Sequence, residues 1–208
     1  ERLPGSFPIW ILPSQVIGFS PEHSSFPGTL SLSSSLVLQL VIEVGQQLAS
    51  IGLDRLVLFN AHGGQIGLLE TAARELRMQC PSMGVLPCFL WNGVSSLNDL
   101  IPSEEREGGL HAGLAETSLM LSLAPELVGE NRGIDGDHNS DGSLMKPPKG
   151  WSLEGAAPFA WLTEDLSQSG VIGDNRDSNP SLGKEIQQAL VDHWENLFTN
   201  LMNSRWPH

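Results

Sequence analysis

The chain has 208 residues, 40% of them hydrophobic, and a formal net charge of -13. This length can enclose a sizeable core, so we expect a single domain over residues 1–208. Only eleven lysines and arginines are present, which argues against a nucleic-acid partner, because such binding needs clustered cations. The sequence has no apolar run long enough to cross a membrane and does not begin with a signal-peptide pattern, so we expect no membrane partner. A chain without a disulfide framework has the reducing cytoplasm as its default compartment, so we expect a cytoplasmic protein.

The cysteine spacing excludes two further classes of protein. Cys80 and Cys88 are eight positions apart and form no CxxC pair, so neither a zinc ribbon nor a disulfide framework is predicted. Cys80 precedes a proline and Cys88 lies in an apolar run, which argues against a nucleophilic cysteine.

Apolar runs and helical periodicities alternate along the first ninety residues or so. Gly52 follows the first helical pattern and is a candidate C-terminal cap. The strand and helix order predicts parallel pairing with right-handed crossovers, and therefore an α/β fold. The predicted elements are a strand at 9–12, a helix at 34–50, a strand at 55–59, a helix at 66–78 and a strand at 83–89.

The second half of the chain is less regular. Residues 92–109 and 129–155 are polar and predict loops. Alternating acidic side chains at Asp135–Asp141 could gather oxygen atoms around a cation, but the segment departs from the EF-hand pattern and we interpret it as a solvated loop. A last helix is predicted at 182–202, with an apolar face formed by Ile186, Leu190, Trp194, Leu197 and Leu201.

The segment from Arg55 to Gln65 places a histidine after an apolar strand. The strand ends in Asn-Ala-His-Gly-Gly, and ligands of open α/β sheets bind beyond the carboxyl ends of strands. Gly63 and Gly64 remove the β-carbons beside His62, so a metal or substrate could come close to the backbone. The alternative is a tight strand-to-helix turn that contains an incidental histidine.

A second histidine and a carboxylate begin a later apolar helix. His111 and Glu116 are five positions apart and would diverge on one regular helix, so we expect His111 on the turn before it. A buried glutamate is rarely unpaired, and a metal or a basic partner would satisfy it. The alternative is an exposed glutamate on an amphipathic helix.

Four segments together resemble motifs of the creatininase (creatinine amidohydrolase) family, in the family's order. The resemblance extends from about residue 12 into the last helix. The four segments are Gly18-Phe-Ser-Pro-Glu-His-Ser-Ser-Phe-Pro-Gly-Thr29, Asn60-Ala-His-Gly-Gly-Gln65, His111-Ala-Gly-Leu-Ala-Glu-Thr-Ser118 and Ser169-Gly-Val-Ile-Gly-Asp174.

The resemblance implies a three-layer α/β fold with a mostly parallel sheet flanked by helices. It also implies a hydrolase with one or two zinc, manganese or iron ions, which opens a small cyclic or linear amide with metal-activated water. The bond that it implies is a non-peptide C–N bond. A homo-oligomer is implied, with the hexamer as one candidate form. The tryptophan and acidic residue that precede the family histidine in creatininase are replaced by Glu107 and Gly108, so creatinine itself is a less favoured substrate.

The same resemblance assigns roles to individual residues. His62 matches a metal-binding histidine, and Glu116 matches a glutamate that completes the metal site and acts in catalysis. His111 matches a catalytic histidine that contacts substrate or transfers protons. The residues matched to the substrate pocket are Ser20, His23, Gly63 and Gly64.

The sequence also departs from the family pattern. It does not contain the first motif, Glu-x-His-Gly-x-His-x-Pro with a following aspartate, which supplies three metal ligands. Residues 1–13 resemble the strand after the family's first helix, so we expect a domain without the first strand and helix. Gly64 replaces a glutamate ligand of creatininase, which leaves His62 and Glu116 where a catalytic zinc normally has three protein ligands.

Three explanations for this departure stay open: a shortened or partly recorded chain, a pseudo-enzyme, and a subunit completed by another chain. His62, His111 and Glu116 are all present, and buried polar groups are costly unless they have partners. The sequence therefore favours a metal-dependent amidohydrolase. The alternative function is a non-catalytic subunit of the same fold with an incomplete metal site.

Overall fold

A computed structural model describes residues 3–135 and 148–207. Most of the candidate cation loop, residues 136–141, therefore lies outside the described residues. The contacts group into two compact units, the first made of Glu1–Ser20, Leu30–Gly93 and Leu190–His208, and the second of Pro21–Thr29 and Val94–Ala189. The expected single domain over residues 1–208 stays a prediction.

The first unit contains a helix–strand–helix–strand succession. The elements are α1 (Ser34–Ser50), β1 (Arg55–Asn60), α2 (Ile66–Gln79) and β2 (Gly84–Phe89). The two strands pair in parallel, in a register that runs from Arg55 opposite Gly84 to Asn60 opposite Phe89. Leu48, Leu76 and Met83 are buried together in the core of this unit. These two helices, two strands and their parallel pairing confirm the predictions for residues 34–89.

Helix α1 begins and ends where its sequence provides caps. The Ser33 hydroxyl accepts a hydrogen bond from the backbone N–H of Leu36 at 3.3 Å, which satisfies one of the unpaired donors of the first turn.

At the C-terminal end of α1, Gly52 has a φ of +91°, and its N–H donates to the Ala49 carbonyl at 3.0 Å. The Leu53 N–H then donates to the Leu48 carbonyl at 3.1 Å, which completes a Schellman motif. The predicted cap at Gly52 is confirmed.

The strand expected at residues 9–12 is not formed, and that prediction is wrong. These residues have no regular secondary structure, and the side chains of Trp10 and Ile11 are 62% and 80% exposed. Pro8 and Pro13 flank the run and have no N–H to donate to a ladder. An apolar run becomes a strand only where a neighbouring strand pairs with it.

The second unit is built from short elements. It contains α3 (Leu97–Leu100), α4 (Ser103–Gly108), α5 (Leu114–Leu123) and α6 (Thr163–Leu166), with β3 (Ile134–Asp135) antiparallel to β4 (Gly173–Asp174). Helices α3 and α4 lie where residues 92–109 predicted only a loop, so that prediction is wrong. Each is too short to produce a recognisable hydrophobic period. The acidic first turn of α4 is the local feature that favours its helix.

The last helix, α7 (Pro180–Asn203), extends the predicted helix by a few residues. Ile186, Leu190 and Trp194 are buried, as the apolar face predicted, but Leu197 is 42% exposed.

In the first unit the guanidinium of Arg55 donates to the carbonyl oxygens of Leu201 and Ser204, each at 2.9 Å. A cation at this position interacts favourably with the carbonyl groups at the end of the helix. Among the described residues, no helix combines the length and the apolar character needed to span a bilayer.

Helices α5 and α7 approach closely at Gly183, which makes this glycine a test of packing. A β-carbon at Gly183 would collide with the backbone carbonyl of buried Ser118. We expect Gly183→Ala to lower the free energy of unfolding by about 1–3 kcal/mol through overpacking, although alanine intrinsically favours helix by about 1 kcal/mol. Urea denaturation measures the difference.

The matched control for this change is Gly67→Ala in α2. A β-carbon at Gly67 meets nothing within 4 Å, so this variant should be as stable as the natural chain or slightly more stable. Equal stabilities of the two variants would show that α5 and α7 can separate without cost at Gly183.

Candidate functional site

The first candidate group is the turn that follows β1. Strand β1 ends at Asn60, and His62 directly precedes a short 3-10 turn at Gly63–Gln65. His62 is half-buried and has extended backbone angles, with φ −116° and ψ 121°. The prediction that His62 lies beyond the end of a strand is confirmed.

The side chain of Asn60 holds the backbone of His62 from both sides. Its Nδ2 donates to the His62 carbonyl at 2.7 Å, and its Oδ1 accepts the His62 N–H at 2.9 Å. The same Oδ1 accepts Nε2 of Gln65 at 2.9 Å. Asn60 is only 5% exposed, so these bonds are shielded from water and fix the turn. Sequence reasoning missed this clamp, although a polar residue that ends an apolar strand is a usable signal.

Two glycines near this clamp have different surroundings. The Gln65 Oε1 accepts the Phe19 N–H at 3.2 Å, and a β-carbon at Gly18 would approach that oxygen to 2.6 Å. A side chain at Gly18 would therefore require the end of the Gln65 side chain to shift. A β-carbon at Gly63 would meet nothing within 4 Å, so the backbone beside His62 is open to an approaching group. The substrate-binding role assigned to Gly63 and Gly64 stays a prediction.

The second candidate group lies in the second unit and brings two motif histidines together. The rings of His23 and His111 stack with centroids 3.9 Å apart and planes inclined by 31°. His23 is 9% exposed. Its Nδ1 lies 2.6 Å from the hydroxyl oxygen of Thr163, and its Nε2 lies 3.6 Å from a carboxylate oxygen of Glu22. The hydrogen bond between Nδ1 and the Thr163 hydroxyl fixes the orientation of the His23 ring.

The sequence does not identify Thr163 as a candidate site residue. It is fully buried at the first position of α6, 140 positions from His23. Nothing in the sequence around Thr163 distinguishes it from a threonine that simply begins a helix.

The turn that carries His111 has a backbone conformation that most residues avoid. Ala112 has a φ of +51°, in the left-handed region that costs a non-glycine residue about 1 kcal/mol or more. Its N–H donates to Oε2 of Glu116 at 2.7 Å. Its carbonyl accepts the Thr117 hydroxyl and Nδ2 of Asn175, each at 2.9 Å. These bonds hold the turn just before α5, which confirms the predicted position of His111.

Glu116 is half-buried and lies in the first turn of α5. Its bond to the Ala112 N–H is similar to the backward bond of a capping box, and a carboxylate there also favours the helix dipole. The alternative of a merely exposed glutamate therefore does not describe this residue. A carboxylate that one backbone N–H orients is also a typical metal ligand, because outer hydrogen bonds aim such ligands.

Two other sequence candidates occupy structural positions. The Ser20 N–H donates to the Ser31 hydroxyl at 2.9 Å, and the substrate-binding role of Ser20 stays a prediction.

Asp135, the first residue of the candidate cation loop, is buried. Its Oδ2 accepts hydrogen bonds from the Ser167 hydroxyl at 3.1 Å and the Gln168 N–H at 2.9 Å. This part of the candidate cation loop therefore serves to hold the segment at 167–169.

Burial raises the pKa of the Cys88 thiol above its ordinary value. A higher pKa means a smaller thiolate fraction at neutral pH, and the thiolate is the nucleophilic form. Cys88 is therefore poorly suited to nucleophilic catalysis, in agreement with the expectation from sequence.

Comparisons with known proteins agree with the motif resemblance. The family model "Creatinine amidohydrolase" matches residues 1–198. "Mycofactocin precursor peptide peptidase" of Mycobacterium ulcerans is 32% identical over 200 residues, which cover 92% of this chain and 66% of the relative. "Creatinine amidohydrolase" of Pseudomonas putida is 32% identical over 143 residues, which cover 60% of this chain and 54% of the relative.

A solved structure described as "Creatininase Mn" has the same fold. It superposes with a TM-score of 0.62 at 26% identity, over 84% of this chain and 67% of the other. The protein is thus an α/β protein with a creatininase-like fold. The chain belongs to the creatininase (creatinine amidohydrolase) family. It spans 66% of the length of the mycobacterial relative.

Proposed function

We propose that this chain acts as a metal-dependent amidohydrolase, which cleaves the C–N bond of an amide. The observation that carries the proposal is the His62 turn, where Asn60 fixes the histidine backbone and Gly63 leaves the approach open. Ligands of open α/β sheets bind beyond the carboxyl ends of the strands, and a binding side chain has to be held in one position. A histidine that is fixed at this place therefore suits a ligand site. Membership of the family supports the same activity.

The donor chemistry of the motif residues fits a divalent transition metal. We propose that His62 contributes an imidazole nitrogen and that Glu116 contributes a carboxylate oxygen, for one or two ions of zinc, manganese or iron. A bound ion would supply Lewis-acid polarisation of the amide carbonyl and a lowered pKa of water. Two such residues are fewer than a catalytic zinc normally takes, so the proposal requires at least one further ligand.

We assign proton transfer to His111 and substrate contacts to Ser20 and His23. An imidazole can accept a proton from the attacking water and return it to the leaving nitrogen. The stacked His23 ring, itself held by Thr163, would keep the His111 ring in one orientation. In this proposal His111 and Glu116 are the catalytic residues, and Gly63 and Gly64 allow the substrate to come close.

The amide is either cyclic or linear. The Pseudomonas putida relative is named for creatinine and the mycobacterial relatives for a precursor peptide, so a peptide bond is included among the linear amides. Creatinine is less favoured, because Glu107 and Gly108 replace the tryptophan and acidic residue of creatininase. The predicted homo-oligomer, with the hexamer as one form, belongs to the same proposal.

The experiment that tests the proposal measures metal per chain by elemental analysis, after purification with manganese, zinc and iron(II) available. We expect one or two tightly held ions, and cleavage of at least one probe among creatinine and short unstructured peptides. No retained metal and no cleavage would instead support the alternative, a non-catalytic subunit of this family.

Glu116→Gln separates the metal role of this residue from its capping role. The amide oxygen of glutamine can still accept the Ala112 N–H, so the start of α5 should stay folded. An amide is a much poorer ligand than a carboxylate, and we expect metal affinity to fall by at least about tenfold. Unchanged metal affinity, measured by titration with Zn²⁺ or Mn²⁺, would leave Glu116 as a helix cap only.

A further inference from the structure

A buried carboxylate in the second unit has two backbone partners. Glu105 lies on α4 and is 7% exposed. Its Oε1 accepts the Leu114 N–H at 3.0 Å, and its Oε2 accepts the Asp174 N–H at 2.9 Å. Charged acceptors make hydrogen bonds roughly twice as strong as neutral ones. One side chain thus joins the start of α5 to β4.

Three glycines surround this carboxylate. A β-carbon at Gly109, Gly113 or Gly173 would collide with Oε1 of Glu105. Gly173 also has a φ of +139°, which favours glycine independently. The backbone therefore closes around the Glu105 carboxylate from three directions, and the group has little room to move.

The carboxylate replaces a cap that α5 cannot provide for itself. Gly113 precedes the helix and has no side chain to accept the first N–H groups. Glu105 supplies the acceptor from a different helix, and its charge favours the positive end of the α5 dipole.

Glu105 joins the segment that follows His111 in the chain to the segment that pairs with His111 through backbone hydrogen bonds. The His111 N–H donates to the Ile172 carbonyl at 3.1 Å, and the Ile172 N–H donates to the His111 carbonyl at 2.8 Å. Ile172 is two residues from Asp174, and Leu114 is three residues from His111. Glu105 therefore links Leu114 to Asp174, and these two residues lie just beyond the hydrogen-bonded pair of His111 and Ile172.

We propose that Glu105 is a positioning residue, whose buried carboxylate fixes the His111 turn by holding the first N–H of α5 and the Asp174 N–H together. The inference rests on the proposed function, since it acts through His111. It assigns Glu105 no contact with substrate or metal.

Glu105→Gln tests this role, because glutamine keeps the volume but offers one acceptor and turns an NH₂ group towards an N–H. We expect hydrogen exchange of the Leu114 and Asp174 amides to accelerate by about tenfold, since one donor loses its partner. The ¹⁵N resonances of the His111 ring should also move. For an amide that the natural chain cleaves, kcat should fall by about tenfold while KM stays unchanged.

Glu104→Gln is the matched control, because Glu104 is an exposed glutamate on the same helix. Its amide exchange, histidine resonances and kcat should equal those of the natural chain. If Glu105→Gln does not fold, Gly113→Ala provides the second variant, since its β-carbon would displace the carboxylate without removing the charge and would meet no backbone atom closer than 3.6 Å. The same acceleration of exchange is then expected.

The exchange and resonance measurements need neither metal nor substrate. Failure of the proposed function would appear as a natural chain that holds no metal and cleaves no amide. Failure of this inference would appear as unchanged exchange at Leu114 and Asp174 and unchanged His111 resonances in the Glu105 variant.

Discussion

Replacing His62 by alanine is expected to abolish both metal retention and amide cleavage. Changes to outer-shell partners of metal ligands typically cost about 10–100-fold in affinity, and loss of a ligand itself should cost more than that. The metal that remains after dialysis should fall to background, and turnover should fall below detection. Elemental analysis and the hydrolysis of a substrate found by screening measure the two effects.

The chain offers a histidine of the same type as a control. His193 lies on α7, where its ring packs edge-on to Trp194 with centroids 5.3 Å apart. His193→Ala should keep the full metal content and turnover, because His193 is not one of the proposed site residues. Equal metal content in the two alanine variants would exclude His62 as a ligand.

Replacing His111 by alanine is expected to spare the metal and to lower turnover by about 10²–10⁴-fold, the usual contribution of general acid–base catalysis. The hydrogen bonds that join the Ala112 backbone to the Glu116 carboxylate and the Thr117 hydroxyl do not involve the imidazole, so the turn itself should persist. The measurement compares kcat with metal per chain in the same preparation.

Two results would contradict the proton-transfer role of His111. Unchanged kcat in His111→Ala would remove the imidazole from the reaction, and loss of metal together with kcat would make His111 a ligand instead. If both His62→Ala and His111→Ala leave activity unchanged, the catalytic proposal fails as a whole. The subunit alternative expects neither change to affect assembly, whereas changes to the apolar face of α7 should do so.

The long elements of the first unit could be predicted because each carries its own signal. Helix α1 shows a repeated apolar stripe, a serine cap and Gly52 after its end, and β1 and β2 are short apolar runs separated by a helical pattern. Helices α3 and α4 have too few residues for a period to appear. The missing strand at 9–12 depended on a pairing partner, which no local pattern can supply.

The residues proposed for the site could also be selected from the sequence motifs, whereas the residues that hold them could not. His62, His111 and Glu116 lie in compact motifs. Thr163 and Glu105 act through hydrogen bonds to residues that are distant in sequence, 140 positions in the first case and up to 69 in the second. Their roles arise only when the chain folds and brings distant backbone groups together.

The close contact between Gly113 and the Glu105 side chain makes these two positions vary together. A β-carbon at Gly113 would collide with the Glu105 side chain, so a side chain there requires a shorter residue 105, which leaves the first N–H of α5 without its acceptor. At Gly109 the backbone oxygen of Glu105 obstructs a side chain as well, and Gly173 has a φ of +139° beside the Gly109 backbone, so a shorter residue 105 does not open these two positions. Selection on residue 113 is therefore tied to selection on residue 105. In a random mutational library, substitutions at 113 should survive mainly together with a shorter residue at 105, whereas 109 and 173 should stay glycine.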